Sequence, residues 1–194
     1  MSKDHKKKQK SQKSQKSPEE RGRQASVDGF AHELVAAGIL MKKYQNVSLV
    51  NLPLSPFDII ILNKMEDGSE DIIRAQVKTA KESISFTGGA RGGSDRTYKS
   101  NVKVYRQSTK TSDVVIGVAP RSDTGNEYDL YFIPTLLIEK LDRNSISINK
   151  IQYLKNNYEI LENCKNEKFI ESLYNSLYNK LPIKADYDES TKKS

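Results

Sequence analysis

The chain has 194 residues and a net charge of +7, enough length for one domain with a hydrophobic core plus tails. A basic balance of this size points to a polyanionic partner, nucleic acid ahead of an anionic membrane surface. The one cysteine, Cys164, excludes a disulfide framework or a thiolate zinc cluster. No apolar run reaches membrane-spanning length and no apolar leader opens the chain, so no membrane partner and a reducing, cytoplasmic location are expected.

Residues 1–20 are lysine-rich and almost free of apolar side chains. Such a segment cannot bury enough surface to fold and is predicted to be a disordered basic tail, free to contact phosphates non-specifically. A domain is predicted over 21–182, with a second disordered tail over 183–194. Its first helix is read over about 26–44, N-capped by Ser26 with Asp28 in the first turn. Phe30, Leu34, Ala37 and Met41 trace an apolar stripe along it, broadened by Val27, Ala31 and Val35. Arg21 and Arg23 precede this helix and are candidate phosphate contacts, while His32 within it is read as structural.

A short strand is expected over 47–52, ended by Pro53. The next stretch is the most informative in the chain. Residues 57–62 form a short Ile-rich run, as a buried strand does. Residues 71–77 alternate Ile73, Ala75 and Val77 with polar Arg74 and Gln76, and Lys78 continues the polar set, which is strand periodicity with one wet face. Asp67-Gly68 between them signals a hairpin turn. Antiparallel pairing then brings Asp58, near the start of one strand, beside Gln76 and Lys78, near the end of its neighbour. A carboxylate and an amide oxygen converging there suit a hard cation such as Mg²⁺. Lys78 is placed to orient a water or to meet charge building on a phosphorus.

Residues 79–101 change character: Gly88-Gly89 and Gly92-Gly93 bracket Arg91, and Arg96, Tyr98 and Lys99 follow. Glycines interleaved with cationic and aromatic side chains suit a loop that contacts nucleic acid, with Lys81 adding a phosphate contact. Residues 102–111 alternate, then turn polar. A fully apolar run over 113–119 reads as a buried strand, and 128–133 as another, closed by Pro134. Helices are predicted over 134–141 and 165–181, with a short edge strand around Ile146, Ile148 and Ile151 between them.

Pro56-Phe57-Asp58 followed by Gln76-Val77-Lys78 resembles the PD-(D/E)xK nuclease superfamily, in which a proline-led Asp on one strand and a (D/E/Q)-x-K on the next form the site. Here a Phe stands between Pro and Asp, and Gln76 stands in the acid's place. That substitution occurs in the branch that includes group I intron homing endonucleases, whose strand reads much like Gln76-Val77-Lys78-Thr79. The resemblance covers about 28–141. It implies an α/β fold with a restriction-endonuclease-like core in the order α-β-β-β-α-β, a mixed central sheet flanked by helices, and a short helix within 102–111 ahead of the fourth strand. It also implies an acid from the first helix, and Glu33 in GFAHELVAAG occupies that place.

The function so implied is Mg²⁺-dependent DNA endonuclease activity, with Mn²⁺ able to substitute. Glu33, Asp58 and Gln76 would hold the metal, Lys78 would assist the attacking water, and the product would carry a 5′-phosphate. Substrates compatible with the pattern are an intron homing site, a restriction site or branched DNA. Cutting two strands needs two active centres, so a homodimer is expected. Two other readings share the sequence: a nuclease-fold module that binds DNA without cutting it, and a basic RNA- or ribosome-associated protein.

Overall fold

Ser17 accepts the Glu20 N–H on its side chain (3.1 Å) while the Glu20 carboxylate accepts the Ser17 N–H (2.7 Å). This capping box, with Pro18 in the first turn, starts the first helix of the computed structural model. The structure describes residues 17–52, 55–64, 67–88, 104–121 and 127–178. Helix α1 spans Pro18–Met41, so Ser26, expected to be its cap, lies within it and donates to the Gly22 carbonyl at 3.2 Å. Residues 17–20, read with the basic tail, are instead the cap and first turn, because this local hydrogen-bonding unit outweighs the polar composition around it.

Strands β1 (Asn46–Leu49), β2 (Ile59–Lys64), β3 (Glu70–Thr79), β7 (Val114–Pro120) and β8 (Tyr128–Pro134) form a five-stranded sheet in the order β1-β2-β3-β7-β8. All neighbours run antiparallel except β3 and β7, which are parallel. The fold is thus mixed α/β, a mixed sheet flanked by helices. The β2–β3 hairpin follows the predicted turn. Gly68 takes a φ of +82°, open to glycine at no steric cost, and the Asp67 carboxylate accepts the Ser69 N–H at 2.9 Å.

Parallel pairing of β3 and β7 demands a crossover. Its described parts are β4 (Ser83–Ser85), β5 (Thr87–Gly88) and β6 (Tyr105–Arg106). β4 pairs with the later β9 (Ser145–Ser147), and β5 with β6. The short helix expected within 102–111 is not found among the described residues 104–111, which hold β6 and a turn closed by Thr111 N–H on the Ser108 carbonyl (2.9 Å). The strand expected around Ile146, Ile148 and Ile151 contains only Ile146; Ile148–Lys150 is a 3₁₀ turn.

Helix α2 (Thr135–Leu141) follows β8 directly, α3 (Tyr158–Glu162) packs on β8, and α4 (Glu167–Tyr178) packs on α2. The core is aliphatic, from Ile59, Ile61, Ile73, Ala75 and Val77 through Val114, Ile116, Leu130 and Phe132 to Leu137 and Ile170. Cys164 is buried among them, and that burial pushes its thiol up to about 12, as suits an inert cysteine. Helix α1 presents His32, Ala36, Ala37 and Leu40 inward, whereas Val27, Phe30, Leu34 and Met41 are exposed. The inward face therefore shares Ala37 with the stripe read in the sequence, and Val35 packs at its side, but the stripe's large side chains lie outside it. His32 Nδ1 meets Thr79 Oγ1 at 2.8 Å, and the His32 ring stands edge-on to Tyr128. These contacts lie on the same helix face as the alanines that pack toward the sheet. Among the described residues no helix is long and apolar enough to cross a membrane.

Candidate active site

Asp58 is placed by both its neighbours. Pro56 and Phe57 lie in a tight turn in which Ser55 Oγ accepts the Phe57 N–H (3.3 Å) and donates to the Phe57 carbonyl (2.6 Å). Asp58 N–H then donates to the Ala75 carbonyl (2.9 Å), and its own carbonyl accepts the Val50 N–H (2.8 Å). The hairpin register pairs Ile59 with Ala75, so Asp58 falls opposite Gln76. Their side chains share one sheet face, and Lys78, two residues further on, shares it too.

The carboxylate is held from two sides. Asp58 Oδ2 accepts the Val77 N–H at 2.7 Å and also accepts from Gln76 Nε2 in a short contact. Gln76 Nε2 lies 3.3 Å from the Val77 carbonyl as well. Gln76 is 9% exposed, so the polar face of β3 is not wet here. It is roofed, which is why three polar groups at this point influence one another strongly.

Electrostatics bind the cluster together. Burial pushes the Glu33 carboxyl from 4.5 up to about 7, the Asp58 charge pushes the same way, and Lys78 opposes them. Asp58 is also raised above the usual carboxylate range by burial, against the Val77 N–H and Lys78. Lys78 is lowered by burial, against the attraction of Asp58 and Glu33. Each of the three groups is therefore biased toward its neutral form by lost water and drawn toward its charged form by a neighbour. Glu33 on α1, Asp58 immediately before β2 and Gln76 with Lys78 on β3 are the four residues singled out in the sequence, and burial, charge and hydrogen bonds link them.

The donor set suits a hard divalent cation. Two carboxylates and an amide oxygen are all oxygen ligands, and a cation would relieve the burial penalty on both acids. The set holds only two acids: among the described residues no group of three or more His, Cys, Asp or Glu gathers. Amide nitrogen and oxygen are placed by their hydrogen bonds, and here the nitrogen of Gln76 faces Asp58. The oxygen reaches a cation beside Asp58 once the amide turns over.

The other candidate residues divide. Lys81 lines an open groove of about 530 Å³ with Ala25, Asp28, Thr79, Glu82 and Ser83, beside the end of β3 that carries Lys78. Arg21 and Arg23 are exposed on the first turns of α1, with Arg23 paired to Glu19 at 2.6 Å. Arg91, Arg96, Tyr98 and Lys99 lie outside the described residues. Sequence reasoning passed over Gln107, which is 0% exposed and donates from Nε2 toward Gln76 Oε1 at 3.5 Å. It also passed over Asp113, which receives the Arg74 backbone N–H (2.8 Å), Nε (3.1 Å) and Nη2 (2.8 Å) and clamps β3 to the start of β7. Neither carries a local signal; both depend on the crossover bringing residues 107–113 against β3.

No family model matches the sequence, and no curated protein matches it either. Among solved structures, the bacterial homing endonuclease I-Ssp6803I is similar over 63% of this chain and 76% of its own, with a TM-score of 0.43 and 12% identity. At that identity the chemistry of the site has to be read from this chain's own residues.

Proposed function

We propose that this protein is a divalent-cation-dependent endonuclease that hydrolyses phosphodiester bonds in DNA, with a site of the PD-(D/E)xK kind in its Q-x-K form. The observation that carries this reading is the shared face of Asp58, Gln76 and Lys78 at the mouth of the β2–β3 hairpin, within reach of the Glu33 charge. Asp58, Glu33 and the amide oxygen of Gln76 would hold Mg²⁺ or Mn²⁺. A cation there supplies Lewis-acid polarisation of the scissile phosphate and a more acidic water. Lys78, an ammonium lowered by burial, orients that water or meets negative charge growing on the phosphoryl oxygens. Burial raises the metal-free Glu33 carboxyl, and a bound cation would favour its charged, ligating form. Lys81 in the adjoining groove, Arg21 and Arg23 on α1 and the basic segments together supply phosphate contacts.

DNA, duplex or branched, is the proposed substrate, with a homing, restriction or junction site as its form. Two copies acting together would cut two strands. One observation favours a second reading, a DNA-binding module without chemistry: Gln76 Nε2 already satisfies the Asp58 carboxylate, as a cation otherwise would. The two readings part on a panel of supercoiled plasmid, linear duplex and four-way junction incubated with Mg²⁺ or Mn²⁺. Cleavage that disappears with chelator and in Lys78→Ala supports the enzyme. Binding without cleavage on every substrate leaves the module. Cleavage that survives Lys78→Ala refutes the assignment of the site.

A further inference from the structure

We propose that Gln107 is a positioning residue for this site: with Thr111 and Ser112 it forms a relay that lets the Gln76 amide present its oxygen, rather than its nitrogen, to a divalent cation. The inference rests on the metal-dependent reading above and concerns how that site switches between its two hydrogen-bonded forms.

Each polar atom around Gln76 has a fixed capacity to donate or accept. Gln76 donates from Nε2 to Asp58 Oδ2 and toward the Val77 carbonyl, and its Oε1 faces Gln107 Nε2 at 3.5 Å, a long contact that is easily exchanged. Gln107 is anchored by its backbone N–H on the Phe86 carbonyl (2.7 Å). Its Oε1 accepts from Thr111 Oγ1 (2.6 Å) and Ser112 Oγ (3.1 Å). Gln107 and Ser112 are fully buried, so water is not at hand to replace a lost partner.

Suppose the Gln76 amide turns so that Oε1 faces Asp58. Its nitrogen then faces the Gln107 nitrogen, and two buried donors oppose each other with no acceptor between them. The conflict vanishes only if the Gln107 amide turns as well and presents its oxygen. Its nitrogen then lies against the two hydroxyls. A hydroxyl can donate or accept, so both can receive the new donor. Thr111 Oγ1 keeps an alternative acceptor in the Ser108 carbonyl at 2.8 Å. The relay ends on Thr111, whose hydroxyl proton can move to that carbonyl, and the two glutamines turn together. Without a cation the turned form sets the amide oxygen against both Asp58 Oδ2 and the Val77 carbonyl, three oxygens with no proton to share. The cation therefore selects the turned form.

The test uses Mg²⁺ alone and the full chain. In ¹⁵N-labelled wild-type protein, Mg²⁺ should move the side-chain NH₂ signals of Gln76 and Gln107 together, with one midpoint. By calorimetric titration, Gln107→Leu should bind Mg²⁺ about tenfold to a hundredfold more weakly, because the turned amide leaves a buried donor unpaired. Gln107→Met, unbranched and of similar length, carries the same expectation if the leucine variant does not fold. Wild-type affinity in a folded Gln107 variant overturns the proposal. So does a Gln107 signal that stays still while Gln76 moves. If wild-type protein binds no Mg²⁺, the metal-dependent reading itself fails, and that outcome is distinct from both.

Discussion

Replacing Glu33 by Gln should make this protein more stable at alkaline pH, although the residue belongs to the proposed site. The fold raises the Glu33 carboxyl from 4.5 to about 7, chiefly by burial and then by Asp58. A carboxyl whose folded value lies above its unfolded one stabilises the fold while protonated, and that contribution is lost as pH rises from 4.5 to about 7. Each pH unit of that interval is worth about 1.4 kcal/mol, so full transmission would give about 3 kcal/mol. Glu33 is only half-buried, and solvent screening reduces the effect to about 1–2 kcal/mol. For a chain of this size that corresponds to about 2–8 °C in Tm. The assay is thermal unfolding of wild-type and Glu33→Gln protein from pH 4 to pH 8.5 with chelator present. The two curves should meet below pH 4.5, and the variant should lead by its full margin above pH 7. An equal gain at both ends of the range, or a less stable variant at pH 8, would refute the reasoning. With Mg²⁺ added the order should invert, because saturation to 100 times Kd stabilises the wild type by about 2.7 kcal/mol and the variant lacks one ligand.

Two further outcomes concern the frame of the site. Asp113→Ala removes the acceptor of three Arg74 donors, one of them the backbone N–H within β3; a loss of about 2–3 kcal/mol is expected, read as a Tm drop of about 4–12 °C, and a change under about 1 °C would contradict the clamp. His32 is held below its ordinary value of 6.5 by burial, with Lys81 acting the same way and Asp28 opposing. A histidine lowered in the folded state weakens the fold as pH drops below 6.5. His32→Gln, which can still meet Thr79, should flatten that decline, and an unchanged acid limb in the unfolding profile would exclude His32 as its source.

The four proposed site residues were legible because three of them belong to one hairpin. Period-two patterning, the Asp67-Gly68 turn and the strand lengths were enough to set Asp58 opposite Gln76, and Lys78 on the same face, without knowledge of any distant contact. Glu33 was different: it was carried by a family resemblance, and only packing of α1 brings its charge near Asp58. The start of α1 is locally written in Ser17-Pro18-Glu19-Glu20, a capping box that directly follows a lysine-rich composition too polar to fold. The rotation of α1 was read only in part. Its largest apolar side chains form a convincing stripe, yet Phe30 and Leu34 are exposed, while Ala37 of that stripe and Ala36 beside it are buried, because the face that packs is decided by the sheet it meets.

Local periodicity and turn chemistry, then, were sufficient for the sheet's central strands and for the line of polar groups along β3. Burial is another matter, because it depends on which distant segment comes to lie overhead. That Gln107 stands behind a buried Gln76 and that Asp113 locks Arg74 both follow from the crossover folding residues 104–113 back onto the sheet. Removal of water by tertiary packing shifts the acids and the lysine toward neutrality, and it turns side chains that local patterning places on a wet face into a coupled site.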